Sequence, residues 1–390
     1  MPEPTARLRG IQPYVFATLI ARKRALEAEG VRVLDLSLGS PDQPMPEGLI
    51  AAVAEAVQDR RAHGYPVMSG ELALLTAFAD FMQRRFGVTL DPRTEVVPTA
   101  GAKEALAHLV LAYCEPGDAM LITDVAYPVY ERAVAASGAD LVLLPVTADS
   151  QWWPDLSAID AATARRAKFL LLNFPNNPVG AVATRAQWAE AVDFCRAHDI
   201  ILISDLAYSE LVQHGEAAPS VFEVAGAREV AIEIHSGSKN FSMAGLRLGM
   251  VAGRADVCGA LNAYRTLVGY GVPTIVQRAG TYAFTHAEAL AAELREGYRA
   301  RFDAAVAGFA EGGLHVAPPP AGMYLWIPVP AGMTDWDVQR RLLDEERIMV
   351  TPGSGFGPGG AGYVRLSMVA APDVLRDAGH RAARIWREAR

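Results

Sequence analysis

Four stretches of the chain are short, nearly unbroken apolar runs that end in polar residues: DAMLITD (118–124), AKFLLLNF (167–174), DIILISD (199–205) and EVAIEIHS (229–236). Apolar runs of that length predict strands buried on both faces. Between them the pattern changes to a helical one, as in TRAQWAEAVDFCRAHD, which starts from a Thr at the N-cap position. Strands alternating with helices predict an α/β architecture with a mainly parallel sheet covered on both faces. Ligands in such sheets bind beyond the carboxyl ends of the strands. The residues at those ends are Asp124 to Tyr127, Asn173 to Gly180, Asp205 to Tyr208 and Ser236 to Lys239.

The last hundred residues are patterned differently. A long helical stretch, HAEALAAELREGYRARFDAAVAGFAEGG, precedes MYLWIPVP, a further helix, RIMVTPG and GYVRLSM. This predicts a smaller α+β domain over 286–390, joined by the N-terminal segment 1–45, with a large domain over 46–285 between them. The chain of 390 residues is long enough for a core that excludes water from a site. Its net charge of −8 argues against a nucleic-acid partner. Cys114, Cys195 and Cys258 are far apart, with no CxxC, and are expected to be reduced, buried thiols of a cytoplasmic protein. The start, MPEPTARLRG, has no apolar signal region, and no run reaches the length of a membrane span. The histidines show no paired ligand spacing, so no metal is expected.

The strand-end residues carry the candidate chemistry. TAGAKEALAHLV sets a glycine turn before a helix, either an ordinary turn or a phosphate cup made by free N–H groups and the helix dipole. Asp205 follows four apolar residues, so its carboxylate needs a cation or hydrogen bonds, whether in a structural ion pair or in a site. AYPVY offers a flat aromatic for stacking, and NFPNNPVG offers an asparagine loop. Lys239 and Arg247 lie in HSGSKNFSMAGLRLGM, among residues too small to cover a lysine. One ligand uses all of these groups. Pyridoxal 5′-phosphate takes a lysine on its aldehyde, a cup and a cation on its phosphate, a carboxylate on its ring nitrogen, and donors on its phenolate oxygen.

From LDLSLGSPD to YVRLSM the chain resembles the class I/II aminotransferases, fold-type I pyridoxal-phosphate enzymes. HGYPVMSGELALL, SDLAYSELV and VTPGSGFGPGGAGYVRLSM join the segments already quoted. In style the resemblance is nearest to the LL-diaminopimelate, alanine and aspartate branch. It implies a seven-stranded type of sheet in the large domain, and a homodimer with the active site at the interface. It also implies that Lys239 bonds covalently to the cofactor and later carries the proton, and that Asp205 pairs with the ring nitrogen. Asn177 and Tyr208 would donate to the phenolate, and Tyr127 would stack on the ring. Arg247, Ser236, Ser238 and the backbone of Gly101, Ala102 and Lys103 would hold the phosphate, with Tyr65 reaching it from the neighbouring subunit. Arg365 would clamp the substrate α-carboxylate beside the Gly39 backbone, in a fork geometry that suits a carboxylate on physical grounds alone.

The implied activity is transfer of an amino group between an L-amino acid and a 2-oxo acid, 2-oxoglutarate being one, by ping-pong kinetics. The same residues would serve a C–S lyase or a racemase-like enzyme; a non-enzymatic ligand-sensing domain is a third reading, against which the chain shows no N-terminal helix-turn-helix and no basic patch. Three positions depart from the family pattern: Leu74-Leu75 where an arginine often follows the first Leu, Gly237 before the lysine, and NPVG where NPTG is usual. GSGFGPGG (353–360) imitates a nucleotide-binding loop but opens no helix, and reads as a flexible loop leading to Arg365.

Overall fold

The structure, a computed structural model, describes residues 3–5, 8–9 and 15–389. Along the chain its strands are β1 (Leu34–Asp35), β2 (Val96–Thr99), β3 (Ala119–Thr123), β4 (Asp140–Leu144), β5 (Ala167–Asn173) and β6 (Ile201–Asp205). They continue as β7 (Ala231–Ser236), β8 (Gly249–Gly253), β9 (Tyr324–Pro328), β10 (Ile348–Met349), β11 (Thr351–Pro352) and β12 (Tyr363–Ser367). Strands β2 to β8 form a seven-stranded sheet in the order β2-β8-β7-β6-β5-β3-β4. In it β8 alone runs against its neighbours, and the remaining pairings are parallel.

The period of two within each strand sends alternate side chains to opposite faces. Leu121, Leu170, Leu172 and Leu202 pack with Phe78, Phe81, Trp188 and Phe284 on one face. Met120, Ile122, Leu171, Ile203, Ile232 and Ile234 pack with Leu106, Leu109 and Leu261 on the other. Both faces are therefore apolar, which is why these strands read as unbroken runs. Burying each such side chain contributes about 1.5–3 kcal/mol.

The helix Arg185–His198 starts at the expected Thr184, in a capping box with Gln187. EVAIEIHS differs from expectation at its start. Ala227 and Val230 are buried while Arg228 and Glu229 point outward, a spacing of three that makes a helical turn, so the strand begins at Ala231. The small residues around Lys239 likewise form a helical turn, Gly237–Asn240.

A second core, containing Phe302, Phe309, Leu325, Ile327, Val364, Leu366 and Trp386, lies between the antiparallel sheet β11-β12-β9 and the helices Ala287–Glu311 and Pro372–Glu388. Strand β1 pairs in parallel with β10 and brings Leu36 into that core. The three cysteines are buried and unpaired, and no described helix is long and apolar enough to cross a membrane.

Candidate active site

The carboxyl ends of β5, β6 and β7 open into a cavity of about 450 Å³. Asp205, the last residue of β6, is buried at its floor. Tyr130 Oη donates to Asp205 Oδ2 at 2.6 Å, and the Ala207 N–H donates to Oδ1 at 3.2 Å. Burial pushes the Asp205 carboxyl up to about 6, against the lowering effect of those hydrogen bonds and of nearby His235. Burial, with the adjacent carboxylate, holds the Tyr130 hydroxyl well above its ordinary range, so it stays a donor. Tyr127 meets Tyr130 edge to face, with centroids 5.8 Å apart.

Lys239 follows β7 and lines the same cavity, its Nζ donating to the Gly39 carbonyl and lying 5.9 Å from the Tyr208 ring centroid. Its amine is depressed to about 7, first by burial and then by the Arg365 and Arg247 charges. Arg247 has left-handed backbone, φ 56°, an uncommon conformation for a residue with a side chain. Its Nη1 donates to Ser238 Oγ at 3.3 Å and to the Ala244 carbonyl at 3.0 Å, and Nη2 reaches the Ala100 carbonyl at 3.4 Å. The helix Ala102–Tyr113 starts beside this guanidinium, with Gly101 at its N-cap at φ +92°. A Cβ at Gly101 would run into Arg247 Nη2. A guanidinium, two buried serines and a helix N-terminus thus converge at one end of the cavity, the donor set that suits a phosphate.

Arg365 comes from β12, in the smaller sheet, and is 1% exposed. Its Nη1 donates to Asn177 Oδ1 at 2.9 Å and its Nη2 to the Ser37 carbonyl at 2.6 Å. The Asn177 N–H donates to Asn173 Oδ1 at 2.9 Å, and Asn173 Nδ2 donates to the Asp205 carbonyl at 2.8 Å. Tyr208 and Tyr324 hydroxyls are 3.0 Å apart, and burial raises both. Tyr324 also lies under the Arg365 guanidinium, 4.1 Å from ring centroid to Cζ.

Twelve of the fourteen residues singled out from the sequence therefore line one cavity: Gly39, Ala102, Lys103, Tyr127, Asn177, Asp205, Tyr208, Ser236, Ser238, Lys239, Arg247 and Arg365. Gly101 stands immediately behind, against Arg247. Tyr65 is elsewhere. It is 82% exposed and stacked on Tyr270 at 4.4 Å, outside this chain's cavity. The sequence reading assigned no role to Tyr130 or Tyr324, and none to Asn173 beyond its place at a strand end; the three contact Asp205, Asn177, Tyr208 and Arg365. Tyr130 and Asn173 stand in AYPVY and at the head of NFPNNPVG, beside the residues that were chosen. Two of the three departures are accommodated. Leu74 and Leu75 are core residues, and Val179 packs with Val125 and Val146.

The doubly covered sheet, with a lysine, a buried carboxylate and an anion cup at its strand ends, defines a pyridoxal-phosphate enzyme of the type I fold. The family model for aminotransferases of class I and II matches residues 31–376. An LL-diaminopimelate aminotransferase of Moorella thermoacetica is 40% identical over 379 residues, covering 97% of each chain. Among solved structures, apo-BacF of Bacillus subtilis superposes with a TM-score of 0.95 at 32% identity, covering 98% of each chain. A probable N-succinyldiaminopimelate aminotransferase of Thermus thermophilus gives a TM-score of 0.87 at 37% identity, over 96% of this chain and all of that one. The chain belongs to the class I and II aminotransferases.

Proposed function

We propose that this aminotransferase moves an amino group between an L-amino acid and a 2-oxo acid, 2-oxoglutarate being one, in two half-reactions that share one site. The observation that carries the reading is the Lys239 amine, held near neutrality in a cavity that also contains Asp205 and two guanidiniums. When bound, pyridoxal 5′-phosphate supplies the electron sink that acidifies the substrate Cα–H. Arg247, Ser236, Ser238 and the backbone of Gly101, Ala102 and Lys103 would hold its phosphate. Asp205, kept in place by Tyr130, would keep the cofactor's ring nitrogen protonated. Asn177 and Tyr208 would donate to its phenolate oxygen, and Tyr127 would stack on its ring. Arg365 takes the substrate α-carboxylate in its fork beside Gly39, which orients the Cα–H toward Lys239. Lys239 would hold the cofactor through its amine and, in the cavity beside the substrate, would take up the Cα proton. An amine near pKa 7 has both forms available for that exchange.

In this reading the protein is a cytoplasmic homodimer. The exposed Tyr65 completes the phosphate site of the second copy. The described residues of 1–45 and 286–390 make the smaller domain and 46–285 the cofactor-binding one; residues 1–2, 6–7, 10–14 and 390 lie outside the described ones. LL-diaminopimelate, named in the Moorella relative, is the first donor to screen against 2-oxoglutarate.

Holoenzyme given an L-amino acid and no acceptor should release one equivalent of oxo acid and stop. Continuous release of ammonia would mark a lyase and overturn the transfer reading. Lys239→Ala should fold, keep its dimer and lose all turnover, and a variant that still turned over would remove the lysine from the mechanism.

A further inference from the structure

The loop GSGFGPGG, expected to be a flexible loop leading to Arg365, is instead pinned at several points. It forms two short 3-10 turns, Gly353–Phe356 and Pro358–Gly360. The Phe356 carbonyl accepts the Ala126 N–H at 2.8 Å, and the Gly359 N–H donates to the Asp124 carbonyl at 3.2 Å. The Ser354 N–H donates to Asp335 Oδ2 at 2.7 Å. No side chain fits where the loop meets Asp124. A Cβ at Gly359 would stand 2.6 Å from the Asp124 carboxyl carbon, and one at Gly357, φ +113°, would strike the Asp124 carbonyl. The glycines thus let the loop lie directly on the strand end that leads into Tyr127.

What that docking holds in place is Phe356, 2% exposed, whose ring centroid is 4.6 Å from the Arg365 Cζ. Tyr324 lies 4.1 Å from the same carbon, and Phe16 lies 5.4 Å from it. Asn177 and Ser37 take N–H groups at the guanidinium edge. A fork grips a carboxylate only when the two groups share a plane, so the rings that fix that plane govern recognition.

We propose that Phe356 is a positioning residue for the α-carboxylate of the substrate. It acts through Arg365, and the glycine loop docked on Asp124 sets its position. The proposal rests on the reading of Arg365 as the carboxylate clamp, and the test separates the two.

Holoenzyme is followed through a single half-reaction with L-alanine and, in parallel, with ethylamine, which lacks the carboxylate. Phe356→Leu keeps the bulk and removes the ring. It should raise the half-saturating L-alanine concentration about five- to thirtyfold, with the maximal rate and the ethylamine rate constant little changed. Gly359→Ala, which lifts the loop off Asp124, should give the same selective defect in milder form. It decides the matter alone if the leucine variant does not fold. Arg365→Lys is the control and should weaken L-alanine at least as much. If Arg365→Lys weakens L-alanine but the Phe356 and Gly359 variants do not, or if they slow both donors equally, the positioning role is wrong. If Arg365→Lys also leaves L-alanine unaffected, the clamp reading fails and this inference fails with it.

Discussion

Two buried carboxylates on adjacent strands behave differently. Glu233 on β7 is inaccessible, and each of its oxygens is occupied. Oε1 accepts from Ser220 Oγ at 2.9 Å and lies 2.9 Å from His235 Nε2, while Oε2 accepts from the Val221 N–H at 2.9 Å and Ser204 Oγ at 3.2 Å. Asp205 on β6 is held by Tyr130 and the Ala207 N–H and lines the cavity. The first is enclosed by donors of the chain, as a structural carboxylate must be when buried. The second has a side turned to the cavity, and burial keeps its carboxyl at about 6. A buried acid therefore indicates a site when its surroundings leave it a face to offer, and burial alone does not indicate one.

Exchanging these two acids should separate activity from stability. Asp205→Ala is expected to lower turnover about a thousandfold while the protein stays folded, measured as kcat on holoenzyme. Glu233→Ala should do the reverse. It strands several buried donors, so unfolding in denaturant should show a loss of about 3 kcal/mol, with turnover per folded molecule little changed. If both variants lost activity alike, the contrast would be void.

Titration sharpens the contrast further. The cofactor-free fold binds the Asp205 proton more tightly than the unfolded chain does. Its stability should therefore fall as pH rises from about 4 through about 6, by at most roughly 3 kcal/mol. Asp205→Asn should escape that loss, and comparing Tm of the two proteins at pH 5 and pH 7.5 checks it. The smallest effect concerns Lys239. With its amine near 7, the neutral fraction grows about tenfold from pH 6 to pH 8. Recapture of pyridoxal 5′-phosphate by cofactor-free protein, followed by absorbance, should accelerate by about that factor and then level off. An unshifted lysine would still be accelerating at pH 8.

Some of this organisation was legible in the sequence, and the reasons differ by residue. The runs at β3, β5, β6 and β7 stood out because both faces of the sheet are covered. Strands β2, β4 and β8 did not stand out. VVPT contains a proline, DLVLL is partly exposed along its length, and GMVAG is mostly small residues. Lys239 and Asp205 were found because each is a charge beyond an apolar run, which demands an explanation, and Arg365, in the middle of YVRLS, was found through the family resemblance. Tyr324 sits within MYLWIPVP, where an aromatic looks like core, and only the fold brings its hydroxyl to Tyr208. Phe356 was hidden for the same reason, since an apolar side chain signals function only through what it touches.

Ser37 ties the early part of the chain to the late part. Its carbonyl accepts both Arg365 Nη2 and, at 2.8 Å, Thr351 Oγ1, residues made more than three hundred positions later. During synthesis the large sheet, which ends at Gly253, can close around its cofactor-facing residues while the last third of the chain is still on the ribosome. Arg365, the proposed carboxylate clamp, is missing until nearly the final residues emerge. On the proposed function, a nascent chain at that stage would have Lys239 and Asp205 but no Arg365 to orient an amino acid over them, and the order of synthesis would delay amino-acid chemistry until the fold is finished.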